Sequence, residues 1–485
     1  MDTGNIKVCP FKSVVVPRYK INFIPIPKQH WFKSRLSDIQ ELITRFSISS
    51  IYSTWKIGTN NDLSKFFYES WKPGTLISSI STTLAGTVYL TAEPQVMHAV
   101  FQHPRVEHGG LFLDREGKRL FVEGIIKEIY PDEVKKFGID NIAEMLVFTA
   151  QLPEVKKLRS PLLEVLGINS IKNYYPELEK IASDLLNALT EEEKNNCNTE
   201  LLAFEFAITV ICKYMTGYNT TRENYQRLAK SANHFTKRLN QLVSHRPLSK
   251  IENNEVKASL SILREIIDQN IKSGMSTPFM QHLKEAGWED FKIRITLLFL
   301  YFTATETTSS SMNYLLWQLG RTDNKHFISD LRDPEKKENF LSKLVAETLR
   351  LHPPAYIVGR PFREDTILTI HDEQNRLIKK MRLKKGCNIL CLIQAAALDP
   401  LQYENPTSFN PYRFDSVPVQ LPWYPFGTGI HACPGQHLAQ AELKALVTQI
   451  VNKFDIETIH PLSHTQQRGW FTLRATPAIL RLRNR

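Results

Sequence analysis

The sequence predicts a mainly α-helical protein with a small β part, and three observations carry that expectation. Apolar residues recur at helical spacing through most of residues 154–272, and again in Leu297–Leu319, Leu341–Leu351 and Gln436–Phe454. Runs rich in β-branched residues are few and short. No long Gly/Ser linker, internal repeat or low-complexity tract divides the 485 residues, so residues 75–485 are expected to form one large domain.

Taken in order, residues 1–74 read as an irregular and helical N-terminal segment packing on that domain. Pro10, Pro17, Pro25 and Pro27 precede the amphipathic stretch Leu36–Phe46. Two strands follow, Thr75–Thr83 and Gly86–Ala92, separated by a short turn. A helix starts at Glu93-Pro94, where proline suits the first turn, and runs to about Gln102. Residues 104–149 are a long, charged, Gly-punctuated loop carrying Arg105, Glu107, Asp114, Arg115, Lys118 and Arg119. Helical patterning covers 154–217 and resumes over 222–272. In Gln436–Phe454, residues Leu438, Ala441, Ala445, Leu446, Ile450 and Phe454 share a face. Short strands fit Thr366–Ile370, Cys387–Ile393 and Ile479–Leu482.

Composition excludes several classes. The 61 Lys and Arg against 50 Asp and Glu give a net charge of +11, but these cations form no tail or stripe and no nucleic-acid module is present. No N-terminal run has the apolar core of a secretory signal. The apolar stretches Leu297–Phe302 and Leu201–Cys212 fall short of the ~20 residues of a transmembrane anchor. Six cysteines in so long a chain make no disulfide framework. Cys387 and Cys391, four apart in one strand, read as small core residues. A cytoplasmic monomer is expected.

The most informative segment is Pro425-Phe426-Gly427-Thr428-Gly429-Ile430-His431-Ala432-Cys433-Pro434-Gly435, which runs straight into a helix. Unpaired N–H groups at a helix start stabilise negative charge, so a thiolate is favoured there, and a thiolate is what a metal needs. Glycines let the backbone come close to a flat ligand. A bland reading is a Gly-rich turn with a buried cysteine.

Phe426, Gly429, His431, Cys433 and Gly435 resemble the haem-ligand signature of the cytochrome P-450 superfamily. The resemblance covers roughly residues 75–485 and is clearest from 291 onward. It implies the triangular helical domain around haem with a long central helix, haem b (heme b, iron protoporphyrin IX) as cofactor, and Cys433 as axial ligand to the iron. His431 would then meet a haem propionate.

Three further constellations match in order. Glu347 and Arg350, at i, i+3 on a helix ending in Leu351-His352-Pro353-Pro354, together with Arg413 in Phe409–Phe414, resemble the family's buried structural network. Nine of the twelve residues Phe291–Phe302 are apolar, after which polarity switches to Thr303-Ala304-Thr305-Glu306-Thr307-Thr308-Ser309-Ser310-Ser311. Such a cluster in mid-helix is costly unless its groups find partners, and Thr307 can bond back to the carbonyl four residues earlier. By resemblance, Glu306 and Thr307 are the acid and alcohol that deliver protons to the oxygen side, with Glu306 leading to solvent. Thr303 and Ala304 depart from the small residues usual in the family, which alters the space above the ring. Arg159 and Arg360 resemble propionate ligands, although Val155 replaces the tryptophan that usually accompanies the former.

The resemblance implies that Leu298, Phe302, Thr303, Ala304, Ile357, Val358, Trp470 and Phe471 line a mostly apolar pocket for a small lipophilic substrate. The implied reaction is monooxygenation. No Gly-rich phosphate turn for flavin or nicotinamide is present, so electrons must come from an external donor of ferredoxin or flavodoxin type, steered to Lys156, Lys157, Arg413 and Lys444. Two other readings are a peroxide-driven or isomerising haem-thiolate enzyme and a non-catalytic haem or ligand-binding protein.

Overall fold

The computed structural model describes residues 19–25, 63–71, 74–82, 86–103, 122–146, 154–231, 250–272, 277–362, 364–415, 424–459, 472–473 and 477–485. Its longer helices are α1 (Leu63–Trp71), α2 (Pro94–Gln102), α3 (Pro131–Phe137), α4 (Ile139–Met145), α5 (Glu154–Val165), α6 (Ile168–Asn187), α7 (Thr199–Thr216), α8 (Lys250–Lys272), α9 (Pro278–Glu285), α10 (Asp290–Gly320), α11 (Lys325–Arg332), α12 (Lys337–Leu351) and α13 (Gln436–Lys453). The strands are β1 (Lys20–Pro25), β2 (Ser78–Thr82), β3 (Gly86–Thr91), β4 (Cys197–Asn198), β5 (Ile357–Pro361), β6 (Thr366–His371), β7 (Leu377–Leu383), β8 (Asn388–Leu392), β9 (Phe454–Thr458) and β10 (Ile479–Asn484). Helix dominates, as the patterning predicts. The chain divides into two compact units, each assembled from two separate stretches.

The first unit comprises Met1–Leu111 and Leu349–His431 and holds two sheets. In one, β6 lies between β1 and β7, antiparallel to both, with Lys20 opposite His371 and Pro25 opposite Thr366. In the other, the order is β2-β3-β8-β5; β8 runs parallel to β3 and antiparallel to β5. Ile389, Leu390, Cys391 and Leu392 are all buried, which accounts for the continuous apolar run of β8. Cys387 sits just outside that strand and half-buried. The Glu93 carboxylate accepts the Gln95 N–H at the start of α2, and Pro94 occupies its first turn.

Within residues 1–74 the described elements are the helix α1 and a strand, β1, which the sequence did not suggest. β1 was hidden because its partner β6 is distant in sequence and prolines flank it; Leu36–Phe46 lies outside the described residues.

The second unit comprises Phe112–Thr348 and Ala432–Arg485. Helix α7 is buried on almost every side and packs along α10, while α6 packs along α13. The Asn198 side chain caps α7 by accepting the Leu201 N–H at 3.0 Å, and the helix stops at Gly217, whose φ of 67° suits glycine. Arg222 ties the region together by donating to Glu193 (2.9 Å) and to the buried Glu205 (2.6 Å). β10 pairs with β4 and β9 to close a small antiparallel sheet.

Within the charged stretch 104–149, residues 122–146 are helical rather than loop. They bury Val122, Ile125, Ile126, Ile129, Tyr130 and Ile142, an apolar set that the surrounding charges mask in the sequence. Among the described residues no helix is long and apolar enough to cross a membrane.

Candidate active site

Cys433 stands two residues ahead of Gly435, the residue that caps α13. Three effects act on its thiol. Burial pushes its pKa up, and the N–H of Gly435 and the positive charge of Arg159 pull it down; burial prevails. The helix start therefore does not by itself produce the thiolate expected from the sequence. A metal cation at the sulfur would complete that shift, since coordination deprotonates a thiol.

Arg159 projects from α5 with only 7% of its surface exposed and donates from Nη2 to the carbonyl of Ala432, the residue before Cys433. Its helix is seated by Val155, Leu158 and Leu162, all buried, so Val155 serves as core where the resemblance expects a tryptophan. Burial lowers the Arg159 pKa, opposed by the negative end of Cys433.

The other half of the loop belongs to the first unit. Gly427 and Gly429 both have positive φ, and a Cβ at Gly429 would lie 2.7 Å from the carbonyl oxygen of Phe101 in α2. Only glycine permits that approach. The Gln102 side chain donates to Thr428 Oγ1 at 3.1 Å, and Phe101 and Tyr424 pack edge to face. Phe426 and His431 are half-buried. Arg360, on β5, is 2% exposed, lies 5.0 Å from the centroid of the Phe101 ring, and donates from Nη1 to the Gly359 carbonyl. Its Nε has no partner, and burial pulls its pKa down to about 10.

In α10 the polar cluster resolves into specific bonds. Thr303 donates to Phe299 O at 3.0 Å, Thr307 to Thr303 O at 2.7 Å and Ser311 to Thr307 O at 3.2 Å. These back-bonds satisfy the hydroxyls and favour a local bend. Glu306 is 2% exposed, and Thr472 donates to its Oε1 at 2.6 Å. Ser310 donates to the neighbouring Leu473 carbonyl. Thr305 Oγ1 is buried without a partner.

Phe299, Thr303, Ala304 and Thr307 are the half-buried residues in the middle of this otherwise buried helix, and their spacing places them on one face. Leu298 and Phe302 are buried away from it. Phe299, absent from the sequence-derived set, belongs to this stripe by its i, i+4 relation to Thr303. Ile357 and Val358 are half-buried at the start of β5. Trp470 and Phe471 lie outside the described residues.

Glu347 and Arg350 are fully buried in α12, and Arg413 is 8% exposed. Arg350 donates to the carbonyls of Ala397, Pro406 and Ser408 and stacks over Tyr403; Arg413 donates to those of Glu404, Asn405 and Ser408. The two guanidiniums thus meet on Ser408 and satisfy a stretch lacking strands to do so. This burial removes Arg413 from any docking surface. Lys444 is engaged with Ser342 (2.8 Å) and Glu338 (3.2 Å); Lys156 and Lys157 are exposed, and Lys157 pairs with Glu154 at 2.6 Å.

A cysteine loop leading into a helix, together with an apolar helix interrupted by an alcohol and an acid, defines a class of haem-thiolate oxidoreductases. The chain belongs to the cytochrome P450 family, whose model matches residues 125–326 and 335–481. It is 25% identical over 362 residues to abscisic acid 8'-hydroxylase CYP707A1 of Solanum lycopersicum, covering 69% of this chain and 72% of that one. It is likewise 25% identical to abscisic acid 8'-hydroxylase 1 of Arabidopsis thaliana, covering 64% and 68% respectively. Among solved structures, P450BioI in complex with a hexadec-9Z-enoic acid ligated acyl carrier protein superimposes with a TM-score of 0.64 at 16% identity, over 86% of this chain and 97% of that one. CalO2 gives 0.62 at 17% identity, over 82% and 91%. These likenesses establish the P450 fold.

Family membership implies a haem-thiolate cofactor, and the donors present fit it. The thiol already accepts an N–H, and the orphaned Nε of a buried, uncompensated Arg360 suits an anionic carboxylate.

Proposed function

We propose that this P450 monooxygenase inserts one atom of dioxygen into a lipophilic organic substrate, releases the other as water, and consumes two electrons and two protons. The haem, when bound, supplies oxygen activation. The chain supplies the rest. Cys433 holds the iron through its sulfur, with Phe426, Gly429 and Gly435 shaping the loop. Arg159, Arg360 and His431 hold the propionates. Thr307 passes a proton from Oγ1, and Glu306 supplies it. Thr303, Ala304 and Phe299 shape the oxygen side, with Leu298 and Phe302 behind them and Ile357 and Val358 as further contacts to substrate.

One observation carries this reading: an adjacent alcohol and buried acid interrupt an otherwise apolar helix, with Thr307 on its half-buried stripe. The plant relatives are hydroxylases by name, which favours hydroxylation over isomerisation. Electrons come from a separate acidic ferredoxin- or flavodoxin-type donor docking near Lys156 and Lys157, on the helix whose Arg159 reaches the ligand loop. Cysteine usage this sparse, six in 485 residues, supports a cytoplasmic setting.

The test compares the purified haem protein with Cys433→Ser. The wild type is expected to show a thiolate-type carbon monoxide difference band, which the variant loses. Titrating the wild type with lipophilic compounds then finds those that displace water from the iron and change its spin state. An identical visible spectrum in the serine variant rejects the assignment of the ligand.

A further inference from the structure

Thr472 and Leu473 are each joined to the middle of α10 by a hydrogen bond. One, Ser310 to the Leu473 carbonyl, ties backbone to helix. The other, Thr472 Oγ1 to Glu306 Oε1 at 2.6 Å, ends on the very carboxylate assigned to proton supply. Both partners are buried, Thr472 at 8% and Glu306 at 2% exposure. A carboxyl in such surroundings takes its direction from the donors that reach it, and a hydroxyl donor to a carboxylate is among the stronger hydrogen bonds a side chain makes. Ser309 and Thr307 bond to main-chain carbonyls of α10, so they fix the helix rather than the acid. Thr472 acts on the acid itself.

We infer that Thr472 is a positioning residue for the monooxygenation: its hydroxyl, donating to Oε1, sets which way the Glu306 carboxyl points, and so whether that carboxyl can pass a proton toward Thr307. The inference rests on the proposed role of Glu306. Misdirection by about one ångström is enough to slow a transfer of this kind, because proton transfer needs hydrogen-bond distance. Thr472 thereby contributes to the reaction through Glu306.

The experiment uses the haem-loaded full chain in four variants. Infrared difference spectroscopy first identifies the Glu306 carboxyl band as the one lost in Glu306→Gln. In Thr472→Val, nearly isosteric but without the donor, that band is expected to move; in Thr472→Ser it returns. Dioxygen consumption driven by NADPH through a ferredoxin reductase and a plant-type ferredoxin gives the second readout. Thr472→Val is expected to slow it about tenfold and to raise its solvent deuterium isotope effect, with Thr472→Ser restoring both. Ser310→Ala cuts the neighbouring stitch alone and is expected to leave band and isotope effect unchanged.

An unmoved band in Thr472→Val overturns the proposal. So does a Ser310→Ala variant that reproduces the Thr472→Val phenotype, since the segment would then act only as scaffold. If Glu306→Gln slows consumption and Thr472→Val does not, only the positioning role falls. If Glu306→Gln itself changes nothing, the role of Glu306 falls and this proposal with it.

Discussion

Gly429 shows how little freedom the ligand loop has. Its φ of +74° belongs to a conformation that side chains disfavour, and a Cβ there would press on main-chain oxygen rather than on a yielding side chain. Gly429→Ala should therefore destabilise the holoprotein by about 2–3 kcal/mol, read as a lowered urea midpoint. At this scale the sequence was informative wherever function is compressed into neighbouring residues. Phe426 to Gly435 could be recognised because the loop and the helix it opens are contiguous. Thr472 could not, since nothing in a lone threonine near the C-terminus shows that the chain returns it to Glu306. Arg413 was expected both in a buried structural network and on the docking surface; three carbonyls draw it inside, which leaves only the first place open to it.

Helices were readable as elements because their period is internal to one segment. α10 was anticipated as a buried helix with a polar interruption, and the back-bond from Thr307 to Thr303 is present as expected. Strands were harder. β5 escaped notice because its partner β8 lies further along the chain; β7 pairs with the adjacent β6 but is half exposed and carries Lys379, Lys380 and Arg382, which mask the strand pattern. α5 has the clearest functional division of any element, with Arg159 inside and Lys156 and Lys157 outside. Charge reversal by Lys156→Glu and Lys157→Glu should slow reduction by an acidic ferredoxin by about tenfold at low salt and flatten its salt dependence, with the Cys433 spectrum unchanged. Stopped-flow reduction across a salt series measures both. Unaltered rates would move the docking surface elsewhere.

On the scale of the whole molecule, acid sensitivity has a named contributor in His352, which follows α12. Burial, and then the charge of Arg350, lower its pKa to about 3 in the folded protein. The unfolded chain takes up a proton there near pH 6.5, and the folded chain resists it until about pH 3. The unfolded state binds more protons across that window, so stability is full above it and falls as the pH drops through it. The loss attributable to this residue is up to about 5 kcal/mol, and His352→Asn should flatten the acid limb of a plot of urea midpoint against pH. The division into units was not legible in the sequence, because no linker marks it and each unit recruits a late stretch of chain. That weave bears on synthesis. The first unit gains its second stretch only with residues 349–431 and the second only from 432 onward, so the sulfur at 433 emerges after most of both has been made. Capture of the porphyrin through that sulfur must then wait for both rather than guide their early folding, leaving a colourless intermediate as the form that chaperones and proteases meet first.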